Sequence, residues 1–230
     1  MIGSIYLFGY GNFGRAIAAS LLQQKIPIKV VVNSQEEAKL ARENKIEPEI
    51  INIENDRSLI DLNIPLGSTI ICALDSNHDN LFLALSLRDI YKNNYIVALS
   101  DSIHLNDKLK LAGVDRIIDV YAISGKMISN ILTKPIATKF LQGFINREHD
   151  YIFKEIIVTK ESALHGKMIK EIDFNSYNII FIGMVDKELG DNFIFSTIGI
   201  DHKVDSSDIL ICIGKQKDLD KFIEDTRSKD

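Results

Sequence analysis

Short aliphatic runs alternate with amphipathic stretches through the first half of the chain. Ile5 to Phe8, Ile28 to Val32, Glu49 to Ile53, Thr69 to Cys72, Tyr95 to Ala98 and Arg116 to Ile118 have the length and texture of buried strands. The segments between them read as helices: Arg15 to Leu22, Gln35 to Asn44, Asn77 to Tyr91, and Ile103 to Leu111 with Gly113 at its end. Strands that alternate with helices predict a parallel sheet covered on both faces, here a six-strand doubly wound α/β unit. Its ligand crevice belongs at the carboxyl ends of the strands, where the strand order reverses. Within the third of these helices, Leu81 to Leu87 is apolar nearly all round, so the sheet alone cannot bury it. A second buried contact is expected there, read as a subunit interface.

The pattern changes after residue 119. Two helical pieces, Ser124 to Leu132 and Thr138 to Asn146, are separated by Pro135, which cannot continue the first of them. Beyond residue 150 the texture becomes strand-rich. Ile152 to Val158, Ile179 to Val185, Phe193 to Phe195 and Ile209 to Ile213 read as strands, Leu164 to Ile172 and Lys215 to Asp225 as helices. The expected organisation is a Rossmann-like unit over residues 1–119, a helix-turn-helix crossover over 120–150, and a small α+β domain over 151–230.

The first strand runs into Gly9-Tyr10-Gly11-Asn12-Phe13-Gly14 and then a helix. Gly9 allows the tight turn, Gly11 lets backbone approach a pyrophosphate, and Gly14 lets the helix lie close on its strand. The free N–H groups at that helix start attract an anion. The alternative is a glycine turn that serves only strand–helix packing. Composition narrows the partners: a net charge of -5 argues against binding a nucleic-acid backbone. No stretch approaches the roughly 18 apolar residues of a membrane-spanning helix. Cys72 and Cys212 sit in aliphatic runs and read as inert core thiols. The five histidines form no catalytic arrangement. His202 reads as a surface residue in a loop, and His149 as a junction residue able to sense pH. Asp75, His78 and Asp79 suggest a metal by spacing, but the same spacing suits a polar helix start.

In this order the chain resembles the regulator of potassium conductance (RCK) domains, which comprise TrkA-N and TrkA-C parts. The resemblance rests on Phe8 to Gly14, Ala73-Leu74-Asp75-Ser76-Asn77 and Leu111 to Ile118 in the first part. In the second it rests on Leu164 to Ile169, Ile182-Gly183-Met184 and Ser207 to Gly214. Ala122 to Ser129 resembles the crossover helix of ligand-gated prokaryotic potassium channels more than that of free-standing transporter subunits. The resemblance implies a non-enzymatic module, cytoplasmic at the inner face of the membrane. It implies a homodimer assembling into a larger ring that acts on a membrane-embedded potassium pore. It places the ligand site at Gly9, Tyr10, Gly11, Asn12, Phe13 and Gly14, with Asn33, Ser34, Asn52, Ile53, Ala73, Leu74 and Asp75.

Several positions depart from the family pattern. Asn33 stands where dinucleotide sites carry the ribose-binding acid, which argues against NAD. Asn12 replaces a basic residue, Asn52 an acidic one, and Lys29, Lys39 and Arg42 are the nearby cations. An adenine mononucleotide, another phosphate ligand or an empty cleft stay open. At the places matching the calcium site of relatives, Ala73, Leu99 and Asp101, only Asp101 is a carboxylate, so calcium is not expected there. Two other functions stay open: a separate subunit of a Trk/Ktr-type uptake system, and an NAD(P)-dependent oxidoreductase.

Overall fold

The computed structural model describes residues 3–145, 150–190, 192–196 and 202–227. It divides into two compact units, Met1–Ser129 and Asn130–Asp230. In the first, β1 (Ile5–Phe8), β2 (Ile28–Val32), β3 (Glu49–Ile50), β4 (Thr69–Cys72), β5 (Tyr95–Ser100) and β6 (Arg116–Asp119) form one sheet. All neighbours are parallel, in the order β3-β2-β1-β4-β5-β6. The order reverses between β1 and β4, so the turn after Phe8 and the turn after Cys72 lie side by side.

Side chains alternate across the sheet, and each face has its own core. Leu7, Val30 and Val32 pack with Ala18 of α1 (Asn12–Gln23) and with Ala38 and Ala41 of α2 (Gln35–Glu43). Small residues on these helices let them lie close to the strands. Tyr6, Phe8, Ile70 and Ile96 pack on the other face. They meet Leu59 of α3 (Asp56–Asp61), Leu83 and Leu87 of α4 (Asn77–Ile90), and Leu105 and Leu109 of α5 (Ile103–Leu111). This is the doubly wound unit that the alternation of strands and helices predicts.

The differences from expectation are local. The third strand stops at Ile50 rather than Ile53, and the Asn52 side chain accepts the Glu54 N–H at 2.9 Å in a tight turn. Helix α3, six residues long, was not anticipated; Asn55 caps it by accepting the Arg57 N–H. Leu83, Ala84 and Leu87 of α4 are buried, whereas Phe82 and Leu85 are about half exposed. Part of the helix that was read as needing a second contact therefore does present an uncovered apolar side.

Helix α6 (Val120–Thr133) begins four residues before the expected Ser124, because the Asp119 carboxylate accepts the Ala122 N–H at 2.8 Å and closes its first turn. It buries none of its side chains. Pro135 opens α7 (Pro135–Ile145), the position where a missing N–H costs nothing.

The second unit holds an antiparallel sheet of β7 (Tyr151–Ile157), β8 (Ile180–Val185), β9 (Phe193–Phe195) and β10 (Ile209–Lys215), in the order β7-β10-β8-β9. Leu219 and Phe222 of α8 (Gln216–Asp225) pack with Ile156, Met184, Leu210 and Cys212. Phe153, Ile157, Ile180 and Phe195 remain exposed. The helix expected over Leu164 to Ile172 does not form. Gly166 adopts φ +86° and donates its N–H to the Val204 carbonyl at 2.8 Å, which takes the backbone out of a helical path. Only Ile169–Glu171 closes a single 3₁₀ turn.

Candidate functional site

The turn after β1 is built from backbone. Gly9 has φ +97°, and a Cβ there would lie 2.6 Å from the Ala73 carbonyl oxygen, so only glycine fits against the adjoining strand end. Gly14 is pressed against the Gly9 carbonyl in the same way. Gly11 is the N-cap of α1, with no side-chain capping bond and no acidic residue in the helix's first turn. The positive end of the helix dipole is thus left for a group from elsewhere.

Such a group is already near. The Asp75 carboxylate, on the turn after β4, occupies the space that a Gly11 side chain would take. Asp75 is exposed and makes no hydrogen bond or ion pair among the described residues. The root of its turn is fixed, because buried Asn80 accepts the Leu74 N–H and donates to the Leu74 carbonyl, both at 2.9 Å. Ala73 and Leu74 are buried and shape this turn with their backbone. Asp75 therefore lies over the start of α1 as an unbonded side chain on a fixed support.

One cation and one acid frame the turn. Arg15, unremarked in the sequence, folds back from α1 to donate to Asn12 Oδ1 at 2.8 Å and to the Gly11 carbonyl at 3.3 Å. Glu37 of α2 accepts the Tyr10 N–H through Oε1 at 2.8 Å, while its Oε2 is buried without a hydrogen-bond partner. Burial pushes the Tyr10 phenol above its ordinary pKa, with the Arg15 charge pulling against it. Arg42 is engaged by Glu47 at 2.9 Å and Lys29 by the Tyr6 hydroxyl at 3.1 Å, so neither is directed at the glycine turn.

An open cleft of about 950 Å³ lies beyond the ends of β2 and β3. It brings together Asn33, Asn52 and Ile53, as expected, and adds Ile50, Glu54, Asp79 and Phe82. Half-exposed Phe82 and Ile50 offer apolar surface for a flat ring, and the asparagines offer donors and acceptors beside it. Ser34 lies apart from this role: its hydroxyl accepts the Glu37 N–H at 3.2 Å and caps α2. Tyr10 and Asn12 line a different groove, with Arg15, Ala19, Asn44 and Ile46. Phe13 is about two-fifths exposed at the helix start. The anticipated residues thus fall into the glycine turn, the open cleft and supporting backbone.

At the places of the calcium site, Ala73 and Leu99 are buried, and Asp101 exchanges hydrogen bonds with the Asn77 amide. Asp75, His78 and Asp79 are not gathered around a point; among the described residues the Asp/His group that is so gathered is Asp186, His202 and Asp208. This corrects the reading of His202 as a surface histidine. His149 lies outside the described residues. Burial pushes the Cys72 and Cys212 thiols up to about 12, in keeping with unreactive core positions.

Residues 5–120 match the family model of the TrkA-N domain. The chain belongs to the TrkA-N family. It is 29% identical over 218 residues to potassium channel protein 1 of Methanocaldococcus jannaschii, a match covering 93% of this chain and 64% of that protein. The chain thus spans less than two thirds of the length of this relative. Its fold is shared with the human SLO3 gating ring (TM-score 0.64, 12% identity, 95% of this chain and 46% of that one). It is also shared, over 56% of this chain and 34% of the other, with the GsuK channel bound to ADP (TM-score 0.50, 23% identity). The resemblance to RCK domains read from the motifs is thereby supported at the level of family and fold, and the Methanocaldococcus jannaschii relative is a potassium channel protein. Among the described residues no helix is long and apolar enough to cross a membrane.

Proposed function

We propose that this TrkA-N protein is the cytosolic regulatory module of a prokaryotic potassium channel, gated by an adenine nucleotide held in its N-terminal unit. The observation that carries this reading is the match to a potassium channel protein across 93% of the chain, through both units rather than the nucleotide fold alone. The ligand chemistry follows from the site. The bare start of α1 receives phosphate, and Phe82, Ile50, Asn33 and Asn52 receive the base and ribose. ADP suits it better than NAD, because Asn33 lacks the charge that binds both ribose hydroxyls.

Phosphate and the Asp75 carboxylate cannot share the space over Gly11, so ligand entry moves the turn residue that directly precedes Ser76, the N-cap of α4. The ligand biases the assembly only by binding one arrangement more tightly than the other. The exposed apolar side chains of α6, including Tyr121, Ile123, Ile128 and Leu132, are the surface through which two copies pair. Phe82 and Leu85 of α4 extend the pairs towards a ring. In this scheme residues 1–119 bind ligand, 120–150 pair the subunits, and 151–230 complete the module.

Calorimetric titration with ADP and NAD, paired with light scattering, tests the reading. The expected result is a dimer or larger species that binds ADP, with binding abolished in Gly11→Asp, whose second carboxylate crowds the same space. Undiminished binding in that variant moves the ligand elsewhere. A strict monomer removes the pairing. Sustained NADH turnover with carbonyl substrates would replace the gating role with an oxidoreductase.

A further inference from the structure

A second site lies in the C-terminal unit, independent of the nucleotide reading. β8 ends at Val185 opposite Ile209 of β10, so Asp186 and Asp208 emerge side by side from adjacent strands. Their side chains are 4% and 1% exposed. Between them stands His202, with Nδ1 3.5 Å from Asp186 Oδ2 and Nε2 3.3 Å from Asp208 Oδ2. The end of β8 and the stretch leading into β10 thus deliver two buried carboxylates and an imidazole to one point.

The carboxylates are held in place by backbone. Asp186 Oδ1 accepts the Glu188 and Leu189 N–H groups, at 2.8 and 3.3 Å. Asp208 accepts the Lys187 N–H through Oδ1 at 3.2 Å and the Asp205 N–H through Oδ2 at 2.8 Å. Beside this group a second imidazole, His165, has its Nδ1 buried without a hydrogen-bond partner, 3.9 Å from the Asp205 carboxylate. Two carboxylates carry two negative charges and one imidazole at most one positive charge, so the triad keeps a buried negative charge in either state of the imidazole. A divalent cation offsets it.

We propose that Asp186, His202 and Asp208 bind a divalent transition metal ion of the zinc type. One donor atom from each residue lies within 4.8 Å of the others. Ligands of one ion with arms of about 2.1 Å stand roughly 3 to 4 Å apart, so the widest pair closes by about 1 Å on binding and water takes the fourth position. A nitrogen donor beside two carboxylates favours Zn²⁺ or Mn²⁺ over Ca²⁺ and Mg²⁺, which take oxygen. The ion ties the turn after β8 to the entry of β10.

The test uses the purified full chain, stripped with EDTA and dialysed against Zn²⁺, with bound metal counted by atomic emission and melting followed by circular dichroism. The expected result is about one Zn²⁺ per chain and a raised melting temperature that Mg²⁺ and Ca²⁺ do not reproduce. His202→Gln and Asp186→Asn each weaken uptake at least tenfold. Asp186→Asn retains the oxygen that accepts the Glu188 and Leu189 N–H groups, so it decides the matter if His202→Gln does not fold. No uptake by the parent chain, equal uptake by Asp186→Asn, or equal stabilisation by Mg²⁺ overturns the proposal.

Discussion

The two units place aspartates at strand ends in opposite circumstances. Asp75, after β4, is exposed and makes no hydrogen bond among the described residues, yet its carboxylate fills the space over Gly11. Asp186 and Asp208, at the facing ends of β8 and β10, are buried and take backbone N–H groups on fixed oxygens. In the proposed function, a carboxylate held by nothing leaves when a phosphate arrives. One held by several donors cannot leave without exposing them, so it acts as a clasp. The same residue type is thus a movable cover in one unit and a fixed anchor in the other.

The largest effect is expected at the anchor. Asp208→Ala removes the acceptor of the Lys187 and Asp205 N–H groups and leaves His202 facing a single carboxylate. Loss of one partner in a buried polar network typically costs about 3 kcal/mol. Urea unfolding of the metal-free chain should show that loss, with Asp208→Asn recovering part of it. A change no larger than that of a surface substitution would remove the distinction between anchor and cover.

The cover should give a smaller effect of opposite sign. Asp75→Asn removes a charge that competes with phosphate at the start of α1, while keeping the size of the side chain. A charge at a helix terminus contributes roughly 1 kcal/mol at most, so ADP should bind about fivefold more tightly in titration calorimetry. The gain should shrink as salt is added. Weaker binding in this variant would make Asp75 a ligand contact rather than a competitor.

Much of the first unit was readable because its strands are short unbroken aliphatic runs, which a sheet buried on both faces requires. Ile28 to Val32 and Thr69 to Cys72 stand at the boundaries expected of them. The misses have identifiable causes. The helix α3 is six residues with a polar majority, too short to show a period. The stretch from Leu164 to Ile172 has helical spacing, but Gly166 takes a left-handed conformation and bonds to Val204, a partner 38 positions away that no local pattern reveals. The same limit hid the candidate sites in part. The glycine turn, Asn33 and Asn52 stand out as local signals, whereas Asp75 meets Gly11, and Asp186 meets Asp208, through strand pairing, with His202 joining them from the loop before β10. Phe82 was read for assembly alone because a helix pattern does not say that one side borders a cleft.

The smallest effect concerns an aspartate between these two extremes. Asp119, at the end of β6, accepts the Ala122 N–H through Oδ1 and the Asn106 amide through Oδ2, both at 2.8 Å. Those bonds, the backbone one first, hold its carboxyl below the ordinary value of 3.8. Because the folded value is the lower one, the charged form favours the folded state; that contribution is complete above the ordinary value and is lost as pH falls through the lowered one. The start of α6 should therefore loosen on the acid side of about pH 4. Asp119→Asn should flatten this acid limb in circular dichroism while changing little at neutral pH. Its new amide can donate to Asn106 Oδ1, a buried atom that lacks a partner in the parent chain, once the Asn106 amide is placed to receive it. An unchanged acid limb in the variant would show that the bonds to Asp119 do not favour its charged form in the folded chain, and that the clasp is confined to the C-terminal unit.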